Sequence, residues 1–322
     1  NLDKSKYYNA PQIMKFISKD DPKFAAVNNV GYYLPTKKLS FPIDKRAAAK
    51  IGLIDENDST SLDAITLDVQ KNALYKYDLL TLDIIANNIN ERPIYFAVSV
   101  SPSSFMGFQK YFEQNGLTYR VVPRINASGQ PTQSPINIEG MYDNVMNKFK
   151  WGQLDSNPNA YVDENISRMT LNLVSNFVRL AGQLAAKGDN ERAVKVLDKC
   201  VQVLPPNKVA YNFFHAEIPK IYLLAGEDEK AKEVAQKILD SAIAELDYYK
   251  IVYDNKIEKV KKYRPGLLGQ YQAGQFTQNR SVMEQLYLLQ QMSNAYSQSK
   301  DKAFADELTQ TLQTYTNALK KI

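Results

Sequence analysis

Histidine and cysteine are almost missing from this chain. His215 is the only histidine and Cys200 the only cysteine among 322 residues. Structural zinc takes four Cys or His ligands, and triad-type catalysis needs a His beside its nucleophile. One residue of each type argues against both chemistries. A lone cysteine also excludes an intrachain disulfide. Cys200 reads as a small apolar residue on the inner face of a helix, and His215 as a packed helix position. Long apolar runs are lacking too: none reaches the ~18 residues of a membrane span. No signal peptide opens the chain, and its first residue is Asn, so it reads as a processed or excised fragment. Charge of one sign is not concentrated. The 40 basic and 35 acidic residues give a net +5 spread along the chain, without the basic stripe that nucleic-acid binding requires. Paired catalytic carboxylates are equally hard to find. Asp78 and Asp83 lie five apart on one helix and share no face. Asp55, Glu56 and Asp58 cluster where turn chemistry alone accounts for them.

What is present is structural pattern. The 21 tyrosines suggest wet aromatic surfaces or repeat packing. Residues 1–137 read as a small α/β domain with a mostly parallel sheet. Pro11 sits in the first turn of a helix carrying Ile13, Phe16 and Ile17. In the segment Val30–Ile43, with Tyr32 and Tyr33, the alternation of Leu39, Phe41 and Ile43 predicts a short strand, and Pro35 and Pro42 predict an edge position for it. Ile65–Val69 alternates as a strand. From Lys71 a helix of about five turns runs to Asn87–Asn88. Ile94–Val100 reads as a strand buried on both faces. Phe105–Gln114 reads as a helix stopped by Asn115–Gly116, and Leu117–Val122 as a further strand. Strand, helix, strand, helix, strand predicts parallel crossovers.

Asn126–Asn137, with Gly129, Pro131 and Pro135, is the expected linker. Residues 138–322 read as an all-α domain of tetratricopeptide-like hairpins, near 166–205, 210–245 and 283–320. Ala193 fills the small position of a second helix, with Pro205 twelve residues on, where the 34-residue pattern places its proline. The turns Lys187-Gly188-Asp189 and Ala225-Gly226-Glu227-Asp228 separate the helices of the first two units. Ala231 is the equivalent of Ala193 thirty-eight residues later, and Tyr222/Ala231 recur as Tyr296/Ala305 at the same nine-residue offset. A basic insertion, residues 248–280, carries Lys256, Lys259, Lys261, Lys262 and Arg264 before a Gly/Gln/Tyr-rich loop. Such a run suits anionic lipid head groups or an acidic partner; a solvated helix face has the same composition.

Two candidate contact regions follow. Ser103, Ser104 and Gly107 follow a predicted strand and open a predicted helix, whose electropositive N-terminus would suit an anion or a glycan; an ordinary Ser cap reads identically. No G-x-G-x-x-G or G-x-x-x-x-G-K-[ST] stands at this turn, so nucleotide binding lacks its fingerprint. Phe177, Phe213, Phe214 and Tyr222 are candidates to line a peptide-docking groove, with hairpin core as the competing assignment.

A resemblance adds an address. Tyr33–Leu39, Leu79–Asn88 with Arg92-Pro93-Ile94-Tyr95-Phe96, Gly116–Pro123, and Tyr161–Asn165 with Arg168-Met169 together resemble the C-terminal soluble region of a Bacteroidetes family of multi-pass membrane proteins of unknown function. The membrane half of that family is similar to polytopic protein O-mannosyltransferases. The resemblance implies a region that follows the last membrane span, faces the periplasm and is tethered to the inner membrane in its parent. In polytopic glycosyltransferases the catalytic carboxylate belongs to the membrane half, so no catalytic residue carries over. Asp58-Ser59-Thr60 matches the short O-glycosylation sequon of Bacteroidetes, with Ser59 as acceptor. The expectation is therefore a non-catalytic accessory region, without metal or cofactor. Its expected partners are a protein or peptide and the parent's own transmembrane half. The alternative is a glycan- or phosphate-binding α/β module with its site near Ser101–Gly107 and Pro123–Asn126. A structural lid on the membrane half is the third reading.

Overall fold

The computed structural model describes residues 2–19, 34–55, 57–157, 159–205, 209–265 and 279–320. Tyr32, Tyr33, Glu56, Pro206 and most of the Gly/Gln/Tyr-rich loop lie outside the described residues. The chain divides into two compact units, Asn1–Met141 and Tyr142–Ile322.

The first unit begins with β1 (Tyr8–Asn9) and α1 (Ala10–Ile17). Pro11 lies in the first turn of α1, and the Asn9 side chain accepts from the Gln12 N–H at 3.1 Å. β2 (Lys38–Pro42), α2 (Lys45–Lys50), β3 (Ala64–Asp68) and α3 (Lys76–Asn88) follow. Period-two patterning builds the β2–β3 ladder. Leu39 pairs with Leu67 and Phe41 with Ile65, and all four are buried. The outer edge of β3 is closed by one side chain. Tyr111 Oη donates to Thr66 O at 2.8 Å and accepts from Thr66 N–H at 3.2 Å, so both backbone groups are satisfied without another strand. A second sheet comprises β4 (Tyr95–Ala97), β5 (Phe112–Asn115) and β6 (Thr118–Val121), in the order β4–β6–β5. Gly116, at φ +65°, opens the two-residue β5–β6 loop. Phe41, Phe96, Phe105, Phe108, Phe112 and Tyr119 form the aromatic core, with Phe112 and Tyr119 stacked at 5.1 Å and Phe41 edge-on to Phe108 at 5.3 Å. Each buried ring contributes about 1.5–3 kcal/mol.

Several expectations for this unit are corrected. The sheets are not mostly parallel: β1–β2 is the one parallel pairing between named strands, while β2–β3, β4–β6 and β5–β6 are antiparallel. β2 is central rather than an edge strand; its Pro42 is tolerated because β1 reaches no further than Ser40. β4 is an edge strand of three residues with Tyr95 and Ala97 exposed, not a strand buried on both faces. The expected helix at Phe105–Gln114 is absent. Two short 3-10 turns (Pro102–Phe105 and Phe108–Tyr111) and β5 replace it. Met106 (φ +57°) and Gly107 (φ +102°) are successive left-handed residues that no helix accommodates. α3 is also shorter than expected. Asp78 accepts from the Tyr75 N–H at 3.0 Å and from Lys71 Nζ at 2.7 Å, which fixes the helix start there.

The second unit is helical. α4 (Ile138–Asp143) straddles the division and continues into a π turn, Asn144–Lys148. Then come α5 (Glu164–Ala186), α6 (Asn190–Val203), α7 (Glu217–Ala225), α8 (Asp228–Tyr263), α9 (Arg280–Tyr296) and α10 (Lys302–Lys320). Side-chain caps mark four of the starts: Asp163, Asp189, Asn279 and Asp301 accept from the N–H groups of Ile166, Arg192, Ser281 and Phe304. α5–α6, α7–α8 and α9–α10 pack as consecutive hairpins. Successive hairpins also meet: α7 touches α5 and α6, and α9 touches α7 and α8. Ala193 and Ala231 are fully buried where helices approach closely, as are Tyr222 and Tyr296. Tyr222 Oη donates to Asp198 Oδ1 at 2.8 Å, and Tyr296 meets Phe304 edge-on at 4.9 Å. Trp151 stacks on Phe177 at 5.5 Å.

Candidate functional site

The four aromatic residues expected at a docking groove separate by burial. Phe177, under Trp151, and Tyr222, bonded to Asp198, are hairpin core. Phe213 is 46% exposed and Phe214 half-buried, with ring centroids 4.0 Å apart. They lie in the turn that enters α7. That turn is held by buried polar groups: Asn212 Oδ1 accepts from the Phe214 N–H at 2.9 Å, and His215 Nδ1 accepts from the Asn212 N–H at 3.2 Å. The latter bond assigns the proton of the neutral imidazole to Nε2. His215 Nε2 and Asn212 Nδ2 are buried without a hydrogen-bond partner. Burial pushes the His215 pKa down to about 4. This neutral imidazole is packed edge-on against Tyr211 at 5.2 Å, as expected, but it stands in the turn before α7 rather than on a helix.

Burial divides the second unit further. The first helix of every hairpin exposes large apolar side chains. These are Ile166 and Met169 on α5, Leu224 on α7 (68% exposed), and Met283 and Tyr287 on α9. α5, α7 and α9 meet from one hairpin to the next, as do α6 with α7 and α8 with α9. Of the second helices, α6 and α10 expose no large apolar side chain among the described residues, while α8 exposes Tyr248, Ile251, Val252 and Tyr263. Sequence reasoning missed Met169, Leu224, Met283 and Tyr287. Their signal was phase: each is an apolar residue out of step with its helix's buried 3.6-residue stripe.

The Ser103/Ser104/Gly107 region lacks the geometry that motivated it. Ser103 and Ser104 belong to a four-residue 3-10 turn, which is too short to present a helix N-terminus to an anion. Ser104 N–H bonds to Ser101 O at 2.8 Å, and the hydroxyls of Ser101 and Ser103 are 3.0 Å apart. Gly107 serves packing: a Cβ there would stand 2.6 Å from Leu67 Cδ1. Ser59 is exposed, at the tip of a turn. Its neighbour Asp58 accepts from Thr60 N–H at 2.8 Å and Thr60 Oγ1 at 2.6 Å, and pairs with the Arg124 guanidinium. These bonds, Thr60 first and Arg124 next, hold the Asp58 carboxyl down at about 2. Burial pushes the Cys200 thiol well above its usual range, so it is no nucleophile.

Among the described residues no group of three or more His, Cys, Asp or Glu could hold a metal ion, and no helix is long and apolar enough to cross a membrane. No curated protein and no solved structure matches the chain. Residues 1–140, nearly the whole first unit, match the family model described as TMEM260-associated domain 2, and so are similar to a membrane-protein-associated domain.

Proposed function

We propose that the second unit is a docking module of tetratricopeptide type, and that the chain is a non-catalytic accessory region of a membrane-embedded, glycosyltransferase-like protein. In this reading it faces the periplasm, tethered to the inner membrane through its parent, and engages a protein or peptide and the parent's own transmembrane half. The observation that carries the docking reading is the line of first helices α5, α7 and α9. Each exposes at least one large apolar side chain, whereas of the second helices α6 and α10 expose none among the described residues, α8 being the exception. Apolar groups left in water on successive elements mark interaction surfaces, and stacked hairpins commonly bind through one such layer. The membrane association is supported by the similarity of residues 1–140 to a TMEM260-associated domain. The Bacteroidetes O-mannosyltransferase relation rests on the motif resemblance alone.

The test is site-directed cross-linking of the full-length parent in membranes of its native host, with photoreactive residues at the exposed Ile166 and Met283, in the unchanged chain and in one with Met169, Leu224 and Tyr287 changed to Glu. Discrete adducts with the transmembrane half or one protein substrate are expected. They should be lost in the chain with the three Glu changes, while its circular dichroism spectrum stays helical. Adducts no stronger than at an exposed α6 control position, or adducts that survive the triple change, would sink the reading.

A further inference from the structure

α8 outruns its partner. It is a helix of 36 residues, packed against a helix of nine, α7. Its last part stays anchored on one side, where Tyr253, Ile257 and Val260 are buried at i, i+4 and i+7. The opposite side carries Tyr248, Ile251, Val252, Asn255, Lys259, Lys262 and Tyr263, all exposed. At 100° per residue these seven lie within a sector of about 120°, and none is acidic. Asp254 and Glu258, the carboxylates of this part of the helix, fall outside that sector. Glu258 is paired with Lys261 at 2.9 Å. Neither Lys259 nor Lys262 has a carboxylate within ion-pair distance among the described residues, and Lys262 Nζ lies over the Tyr263 ring at 5.1 Å. The face is about 22 Å long.

We propose that this face of α8 rests on an anionic phospholipid surface. A phenol stands at each end of the face, and tyrosine rings settle at the level of lipid head groups. Ile251 and Val252 supply the shallow apolar contact. Lys259 and Lys262 supply positive charge on stems long enough to keep their ammonium groups among the phosphates. The face is the convex outer side of one helix, which a planar surface meets along its length. A protein partner takes its affinity from anchors seated in pockets. The occupant is thus chosen by charge complementarity and by shape, whatever the first helices of the hairpins bind.

Co-sedimentation of the 322-residue chain with vesicles tests this. One set contains phosphatidylglycerol in phosphatidylcholine, the other phosphatidylcholine alone. Binding is expected to the anionic set only, and to weaken as salt screens the charges. Changing Lys259 and Lys262 together to Gln should weaken it about thirtyfold, at roughly fivefold per charge. The Lys259→Arg/Lys262→Arg pair should retain it. Ile251→Ser should weaken it without changing its salt dependence. All three positions are solvent-exposed, and unchanged circular dichroism spectra show that the variants fold. Equal affinity for both vesicle sets, or full affinity in the Gln pair, would overturn the proposal. So would binding to a polyglutamate peptide without binding to vesicles, which would assign the face to an acidic protein.

Discussion

A buried imidazole has a thermodynamic signature. His215 is held neutral, its pKa lowered by burial from 6.5 to about 4. In the unfolded chain it takes up a proton near pH 6.5. Stability is therefore full above about pH 6.5 and falls as pH drops toward 4, because only the unfolded state is then gaining the proton. Below about 4 both states are protonated and the loss is complete, on the order of 3 kcal/mol. Thermal denaturation across this range should show the helical unit weakening with acid. His215→Gln, which keeps an acceptor for the Asn212 N–H, should remove most of that slope. A variant with an unchanged slope would place the titrating group elsewhere. Cys200 is equally inert, and for the same cause.

At the scale of elements, the helical hairpins were legible and much of the α/β unit was not. Ala193, Ala231 and Tyr296 lie on helices long enough for a 3.6-residue period to repeat several times, and these three, with Tyr222 on the shorter α7, are buried as their spacing suggests. Phe105, Phe108 and Phe112 imitate that period, with gaps of three and four, yet they stand on two turns and a strand. What places them is a chain reversal at Met106–Gly107, written in backbone conformation rather than hydrophobicity. The alternation of Phe112 and Gln114 (buried) with Glu113 and Asn115 was present, but four residues are too few to outvote it. The docking aromatics fared similarly. Residue type picked out Phe177, Phe213, Phe214 and Tyr222 alike, and only packing divides them. Gly107→Ala tests the reversal. It demands φ +102° of an L residue and sets a Cβ against Leu67, so a loss of about 1–3 kcal/mol is expected. Urea denaturation read by far-ultraviolet circular dichroism measures it. With Leu67→Ala as the background, Gly107→Ala should cost less than it does in the unchanged chain, because the Cβ then meets no Leu67 side chain.

At the scale of the whole molecule, the two units differ in what maintains them. The first rests on a small set of clustered rings and two three-stranded sheets; the second on hairpins that each bury a stripe against the next. The similarity to a known domain family stops at residue 140, where the second unit is about to begin. The chain also holds a single tryptophan. Since Trp151 lies on Phe177 within the helical unit, emission excited selectively at the indole originates wholly from that half, while phenylalanines and tyrosines of the other half stay silent. Leu180→Ala, a fully buried change on the same helix as Phe177, should lower the stability read from this emission by about 2–5 kcal/mol; an unmoved midpoint would mean that the indole senses only its immediate stack. The stacking of one ring on another thus equips the protein with its own optical reporter, able to time the melting of the hairpins without any label.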